Sequence, residues 1–239
     1  MSWGTRLRAA PLALRELIRA ARAAARGEPR RTEAALGFAR QNATPGDPDS
    51  VLAALDRFAR EHRFLMNVGD EKGKLLDAEL ERLGPGARVL ELGCYCGYSA
   101  IRMARLLPSG AVTSLERSAA NARVARDMVA LAGLGERVEI LEGEAHDLIP
   151  TLTGPFDLVF LDHSDSRYEP DLKRIEASRL LHAGSVVVAD NVGPLFRAEA
   201  YLAYVRDSGR YDSRFVASHV EYVDSIEDGV EISTWRGHD

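Results

Sequence analysis

The run Val89-Leu90-Glu91-Leu92-Gly93-Cys94-Tyr95-Cys96-Gly97-Tyr98-Ser99 constrains this chain more than any other stretch. An apolar run ends in an acid, two glycines follow in a G-x-x-x-G spacing, and a helical pattern begins after them. This reads as a strand, a tight turn and a helix N-terminus, where glycines let backbone approach a ligand without a Cβ clash. The spacing is not the G-x-G-x-x-G of dinucleotide binders, so no pyrophosphate cradle is indicated. An acid just before the first glycine would repel phosphate and suits a ligand with an amino group.

The residues that follow extend this unit into a sheet. Ala111–Glu116 reads as a second strand, and Glu116 at its tip can accept hydrogen bonds from ribose hydroxyls, as acids do there in doubly wound sheets. Val138–Leu141 runs into Glu142-Gly143-Glu144-Ala145-His146-Asp147, Phe156–Leu161 ends in Asp162-His163, and Ser185–Ala189 ends in Asp190-Asn191. Each run is short and apolar, as strands buried on both faces are. Helical stretches at Ala100–Leu107, Ala119–Ala132 and Asp171–Leu181 alternate with them, which argues a parallel α/β sheet. Polar residues at the carboxyl ends of consecutive strands stand where such sheets bind ligands.

A chain of 239 residues with 46% hydrophobic content can bury one doubly wound domain. The net charge of −5 gives no general affinity for nucleic acid, and no such partner is expected. The charge is uneven, with nine arginines against three glutamates in residues 1–41. Pro11–Arg26 reads as an amphipathic helix with Leu14, Ile18, Ala21 and Ala25 on one face and Arg15, Arg19, Arg22 and Arg26 on another. Such a helix can make weak peripheral contact with anionic lipid, act as a transit peptide, or pack on the body with its arginines in water. No apolar run of about 18 residues is present, so no transmembrane helix is expected. Cys94 and Cys96 are too close in sequence for an unstrained disulfide and make a weak metal signal. They read as buried thiols in a reducing compartment, hence a cytoplasmic protein. Nothing demands more than a monomer.

Two further helices are expected at Thr32–Gln41 and Ser50–Arg63, the second capped by Asp49 or Ser50. The turn-rich loop Asn42–Asp49 between them should separate the helices before it from the body. Asp70–Leu83 reads as another helix, leading through Gly84-Pro85-Gly86 into the first strand. After helix Glu199–Asp207, two closing strands, Arg214–His219 and Val230–Trp235, are expected to turn around Asp228-Gly229 as an antiparallel edge.

Together these residues resemble the catechol O-methyltransferases over roughly residues 40–237. The resemblance is carried by Gln41-Asn42-Ala43 with Pro45-Gly46-Asp47-Pro48, by Met66-Asn67-Val68-Gly69-Asp70 with Lys72-Gly73, and by the glycine turn. Phe160-Leu161-Asp162-His163 and Ala189-Asp190-Asn191-Val192 complete it. It implies a class I methyltransferase fold: a doubly wound, mostly parallel seven-stranded sheet with its last strand antiparallel, helices on both faces and extra N-terminal helices. It divides the chain into a helical extension, 1–41, and a methyltransferase domain, 42–239. The implied reaction is Mg²⁺-dependent transfer of the methyl group of S-adenosylmethionine (SAM) to one hydroxyl of a small catechol-type molecule.

By the same resemblance, Met66, Asn67, Val68, Glu91, Gly93, Tyr95, Tyr98 and Ser99 surround the methionine end of SAM. Glu116 takes the ribose, Gly143, Ala145 and His146 the adenine, and Asp162 and His163 also contact the cofactor. Asp162, Asp190 and Asn191 would hold Mg²⁺, for which two carboxylates and an amide oxygen are suitably hard ligands. Glu221 matches an acid that accepts a hydrogen bond from the second catechol hydroxyl.

The chain also departs from the family. Ala145-His146 replaces the usual Ser-Gln, although a histidine nitrogen can still reach adenine. The family's Asp-His-Trp-Lys-Asp-Arg-Tyr reads Asp162-His163-Ser164-Asp165-Ser166-Arg167-Tyr168. Asp165 thus stands at the position of the base lysine, and Ser164 at that of a wall tryptophan. With an unperturbed pKa of about 3.9, an aspartate is a weak base. Three outcomes stay open: Asp165 acts as a carboxylate base, the metal alone acidifies the acceptor, or the acceptor carries a cation that Asp165 pairs with. Phe64 also replaces a tryptophan, and Gly193–Arg197 replaces a shorter segment. Lys72 matches a family lysine but reads as a solvated helix residue rather than a substitute base. The rival functions are methylation of another metal-chelating acceptor, and SAM binding without effective catalysis.

Overall fold

The computed structural model describes residues 29–196 and 198–237; the expected helix Pro11–Arg26 lies outside them. Helices α1 (Arg31–Asn42), α2 (Pro48–Glu61) and α3 (Gly69–Leu83) precede an alternation of strands and helices. This runs β1 (Arg88–Leu92), α4 (Tyr98–Ala104), β2 (Ala111–Glu116), α5 (Ala119–Leu131), β3 (Val138–Glu142), α6 (Ala145–Leu148), β4 (Phe156–Leu161), α7 (Tyr168–Ala177) and β5 (Leu181–Ala189). Helix α8 (Glu199–Asp207) leads to β6 (Tyr211–Val220) and β7 (Val223–Trp235).

The strands form one seven-stranded sheet in the order β3-β2-β1-β4-β5-β7-β6. Pairing is parallel from β3 to β5, and β7 runs against both of its neighbours, as the family resemblance implied. Successive strand residues point to opposite faces. Val89, Leu158, Phe160 and Val188 therefore join the core beneath α1 to α5, while Leu90, Val159, Leu161 and Ala189 join the core beneath α7 and α8. Both faces are covered, which is why the strand sequences are apolar without alternation.

The chain winds from β1 outward to β3 and then returns to lay β4 on the other side of β1. This is a topological switch point, where a crevice opens at the carboxyl ends of the strands. Gly93 permits it: its φ is +101°, and a Cβ there would lie 2.4 Å from the carbonyl oxygen of Asp162. Only glycine lets the tips of β1 and β4 meet.

Three expectations are corrected. The loop after α1 does not separate that helix from the body: Ala35 and Ala39 are fully buried, and α1 packs on α2 and α5. The division drawn after residue 41 therefore falls at the end of a helix that shares the main core. The cap of α2 is Asp47, whose carboxylate accepts from Ser50 N at 3.1 Å, with Pro48 set at the start of the helix. The closing hairpin turns at Glu221-Tyr222, where Val220 pairs with Val223 and Tyr222 takes a φ of +58°. Asp228-Gly229, a turn signal by composition, lies inside β7 instead. Gly229 makes room for the Phe215 ring, which a Cβ would meet at 2.2 Å, and the Asp228 side chain is drawn inward. Among the described residues, no helix is long and apolar enough to cross a membrane.

The buried α1 face gives a direct test. Ala39→Asp would put an unpaired charge into the core and is expected to cost about 2–4 kcal/mol in urea unfolding. An unchanged midpoint would mean that α1 lies off the body.

Candidate active site

Gly93, Asp162 and Asp190 each sit one residue beyond a strand. Their N–H groups donate to the carbonyls of Leu115, Leu92 and Leu161 at 2.9, 2.9 and 3.0 Å, which aligns the tips of β1, β4 and β5. Beside them is a cavity of about 580 Å³ lined by Met66, Gly93, Tyr95, Glu116, Gly143, Ala145, His146, Asp162 and His163, among others. Most of the cofactor residues expected from sequence thus meet in one place.

Glu91, two residues before the cavity-lining Gly93, has no solvent exposure and accepts a hydrogen bond from the Ser114 hydroxyl. Burial pushes its pKa up to about 7, against the opposing hydrogen bonds of Ser114 and Ser99. Its Oε1 has no partner among the described residues, nor do Asn67 Nδ2 and His163 Nδ1. Buried polar atoms rarely go unpaired, so three of them among the residues expected to bind the cofactor suit a site for a polar ligand. Glu116 accepts from Tyr95 N and Ser118 N at 2.8 Å each, one on each oxygen, and each oxygen keeps a second lone pair for hydroxyl donors. His163 is fixed through Nε2 on Asp171 at 3.0 Å. His146 sits at the cavity edge with Nδ1 3.1 Å from Nη2 of Arg167, a donor, so Nδ1 is the accepting nitrogen.

Two expected cofactor residues point elsewhere. The Tyr98 side chain belongs to the main core, its hydroxyl 3.5 Å from Arg102 and bonded to Asp56. The tyrosine that lines the cavity is Tyr95. Val68 faces a separate cavity of about 970 Å³ beside Glu221 and Tyr222. Ser99 acts one layer down, through Glu91.

Next to the cofactor cavity is a buried charge cluster. Lys72 Nζ is 2.6 Å from Asp190 Oδ1 and 2.8 Å from Asp228 Oδ2, and is also bonded to Glu221 Oε1. Lys72 is not the solvated helix residue expected, being 2% exposed. Burial alone would lower its pKa, but the charges of Asp190, Glu221 and Asp228 outweigh that and push it up, so Lys72 stays an ammonium. Desolvation raises Asp190 to about 8; Lys72 opposes this, and the charges of Glu221 and Asp228 add to it. Desolvation, then Asp190 and Glu221, also hold the half-buried Asp162 above the usual carboxylate range. Oxygens of Asp190, Glu221 and Asp228 lie within 4.8 Å of one another, a spacing that suits a cation, but the lysine ammonium already bridges them. Asp190 Oδ2 is left buried without a partner among the described residues. Asn191, at φ +54°, donates through Nδ2 to Glu221 and Asp228 at 3.0 Å each.

Sequence reading missed Asp228 and misjudged Lys72. One signal was available for the lysine: it sits in the first turn of α3, where the helix dipole disfavours a cation and a carboxylate partner is needed. Asp228 gave none, because Asp-Gly reads as a turn.

A switch-point cavity beside a glycine turn, with an acid before that turn and another at the next strand tip, is the arrangement that the resemblance to class I SAM-dependent methyltransferases implies. The comparisons agree, and the chain belongs to the O-methyltransferase family, whose model matches residues 43–199. It is similar to catechol O-methyltransferase B of Danio rerio, at 46% identity over 213 residues, 87% of this chain and 80% of that protein. A probable O-methyltransferase of Mycobacterium tuberculosis is 42% identical over 218 residues, 87% of this chain and 93% of its own. Among solved structures, the O-methyltransferase of Streptomyces achromogenes involved in tomaymycin synthesis, in complex with SAM, is 28% identical with a TM-score of 0.66, covering 78% of this chain and 89% of that one. The chain is thus a SAM-dependent O-methyltransferase of the catechol O-methyltransferase-like kind.

The buried Glu91 carboxyl leads to an expected pH dependence of cofactor binding. Folding raises this carboxyl from 4.5 to about 7, so without a ligand the folded state holds the proton more tightly, and the group's contribution to stability falls as pH rises through that window. A ligand ammonium favours the carboxylate. SAM affinity, measured by calorimetry, is therefore expected to tighten several-fold between about pH 6 and pH 7.5. Glu91→Gln should bind SAM more weakly and show no such rise. A rise that survives in that variant would assign it to another group.

Proposed function

We propose that this chain catalyses Mg²⁺-dependent methyl transfer from SAM to a hydroxyl of a catechol-type small molecule. The observation that carries this reading is the cluster at the strand tips, where Asp190, Asn191 and Glu221 are hydrogen-bonded around Lys72 and Asp162 follows the neighbouring strand. The donor set fits a hard dication. Three carboxylates, Asp190, Glu221 and Asp228, share the Lys72 ammonium, and Asp162 stands at the tip of the neighbouring strand. Among the described residues Asp190 Oδ2 has no partner, and the amide nitrogen of Asn191 is the end that its neighbours Glu221 and Asp228 occupy. Asp162, Asp190 and Asn191 would hold Mg²⁺, which when bound lowers the pKa of a chelated hydroxyl.

The remaining work falls to this chain's own residues. The Glu91 carboxylate would hold the cofactor's amino group and Glu116 its ribose hydroxyls, fixing the methyl for in-line attack. Phe64, Leu195, Phe196 and Val223 pack around Val220 and Ile226, an apolar wall suited to a flat aromatic acceptor. Glu221 would accept a hydrogen bond from the hydroxyl that is not methylated. Lys72 is held as an ammonium and does not serve as the base. Asp165, on the turn Asp165–Arg167 at the family's lysine position, is assigned the acceptor proton; its Oδ1 already accepts from Ser166 N at 2.7 Å. Relatives that bear the catechol O-methyltransferase name over most of the chain support the choice of acceptor.

The test is methyl transfer from labelled SAM to a simple catechol, with Mg²⁺ and with EDTA. Product is expected with Mg²⁺ and none with EDTA; equal rates would overturn the metal reading. Asp165→Asn should lower kcat roughly 10²-fold, the usual scale for a general base. An unchanged kcat would remove Asp165 from the chemistry. SAM binding without product on catechols, with turnover on another chelating acceptor, would change the substrate class.

A further inference from the structure

Asp228 belongs to none of the motifs at the strand tips. It lies within β7, yet it is 2% exposed and has three donors on its carboxylate. Oδ2 accepts from Lys72 Nζ at 2.8 Å and from Asn191 Nδ2 at 3.0 Å, and Oδ1 accepts from Gly193 N at 3.0 Å. Glu221 Oε1 takes the same Asn191 nitrogen at 3.0 Å. Two carboxylate oxygens against one amide nitrogen decide which end of the amide is which, because the flipped amide would set its oxygen against two anions. The Asn191 oxygen is therefore turned away from Asp228 and Glu221.

The main chain is held as well. Asn191 has a φ of +54°, unusual for a residue with a Cβ, and the segment after it is tied down by the Gly193 bond and by Val192 N donating to Gly229 O at 3.1 Å. Gly193 packs so closely that a Cβ there would lie 2.5 Å from Asp228 Cα. Strand β7 thus grips both the side chain and the backbone of the segment that follows β5.

We propose that Asp228 is a positioning residue that sets the Asn191 amide oxygen-outward for a divalent cation, acting through geometry rather than through its charge. The inference rests on the reading that Asp162, Asp190 and Asn191 hold that cation. Residues that orient metal ligands in this way typically change metal affinity by about 10–100-fold when altered.

Two variants separate geometry from charge. Asp228→Glu keeps the charge but moves the carboxylate by one methylene, and Asp228→Asn keeps the shape but replaces one oxygen with a donor. The probe is Mn²⁺ alone, titrated into the full chain and followed by electron paramagnetic resonance of the free ion, with SAM affinity measured by calorimetry on the same samples. Both variants are expected to weaken Mn²⁺ binding about tenfold or more while holding SAM within about twofold of the parent. Parent-like Mn²⁺ affinity in Asp228→Glu would overturn the proposal and leave the cation reading standing. A parent chain that binds SAM but no Mn²⁺ would overturn the cation reading and the proposal with it. If both variants lost SAM binding together with Mn²⁺, Asp228 would be a general folding residue, which also overturns the proposal.

Discussion

Asp190, Glu221 and Asp228 come from three different places in the chain and meet where water is excluded, and the ammonium of Lys72 is what makes their meeting tolerable. Taking several charges out of water is expensive, and only close pairing with complete hydrogen bonding offsets the penalty. Lys72 reaches the cluster from α3, Asp190 stands at the tip of β5, Glu221 in the hairpin turn and Asp228 within β7. The ion pairs therefore join a helix on one face of the sheet to the switch-point tips and to the antiparallel edge. A single ammonium cannot neutralise all of this charge. Burial first, and the unneutralised charge after it, hold Asp162 and Asp190 above the usual carboxylate range.

The glycine turn imposes the second constraint. β1 and β4 approach so closely at Gly93 that no side chain fits between their tips, and Gly93 itself lines the cavity. The two halves of the site are also coupled through Tyr222. Its hydroxyl is 2.8 Å from Asp56 and 3.0 Å from Asn67, its ring lies under the Arg60 guanidinium at 5.1 Å, and its backbone carries the adjacent Glu221. The Asn67 amide and the Glu221 acid are thus both tied to one residue in a left-handed conformation, the kind of backbone strain that tends to gather at functional sites.

Much of this architecture was legible in the sequence because it is local. Apolar runs with helices between them specify a parallel sheet, and a polar residue at the end of each run lands at the ligand-binding edge whatever the details of packing. The nine cofactor-set residues that line one cavity came from that logic together with the family resemblance. Propensity failed where tertiary packing outweighed it. Asp-Gly lost its turn to Glu221-Tyr222 because Gly229 accommodates Phe215 and Asp228 is pulled inward. Tyr98 and Tyr95 flank the same turn, and sequence could not tell which ring goes to the core.

By itself the sequence determined the class of fold and the place of the switch-point site, since period, glycine spacing and strand-end acids are properties of neighbouring residues. Only the tertiary structure decided the charge state and the orientation of the groups at that site. Lys72 is an ammonium, Asp228 a partner of Asn191, and the Asn191 amide has a defined direction, because those facts depend on residues as far apart as 72 and 228 being desolvated together. Burial and pairing across the sheet are not written in any local stretch, and they are what turn a set of plausible side chains into a preorganised site.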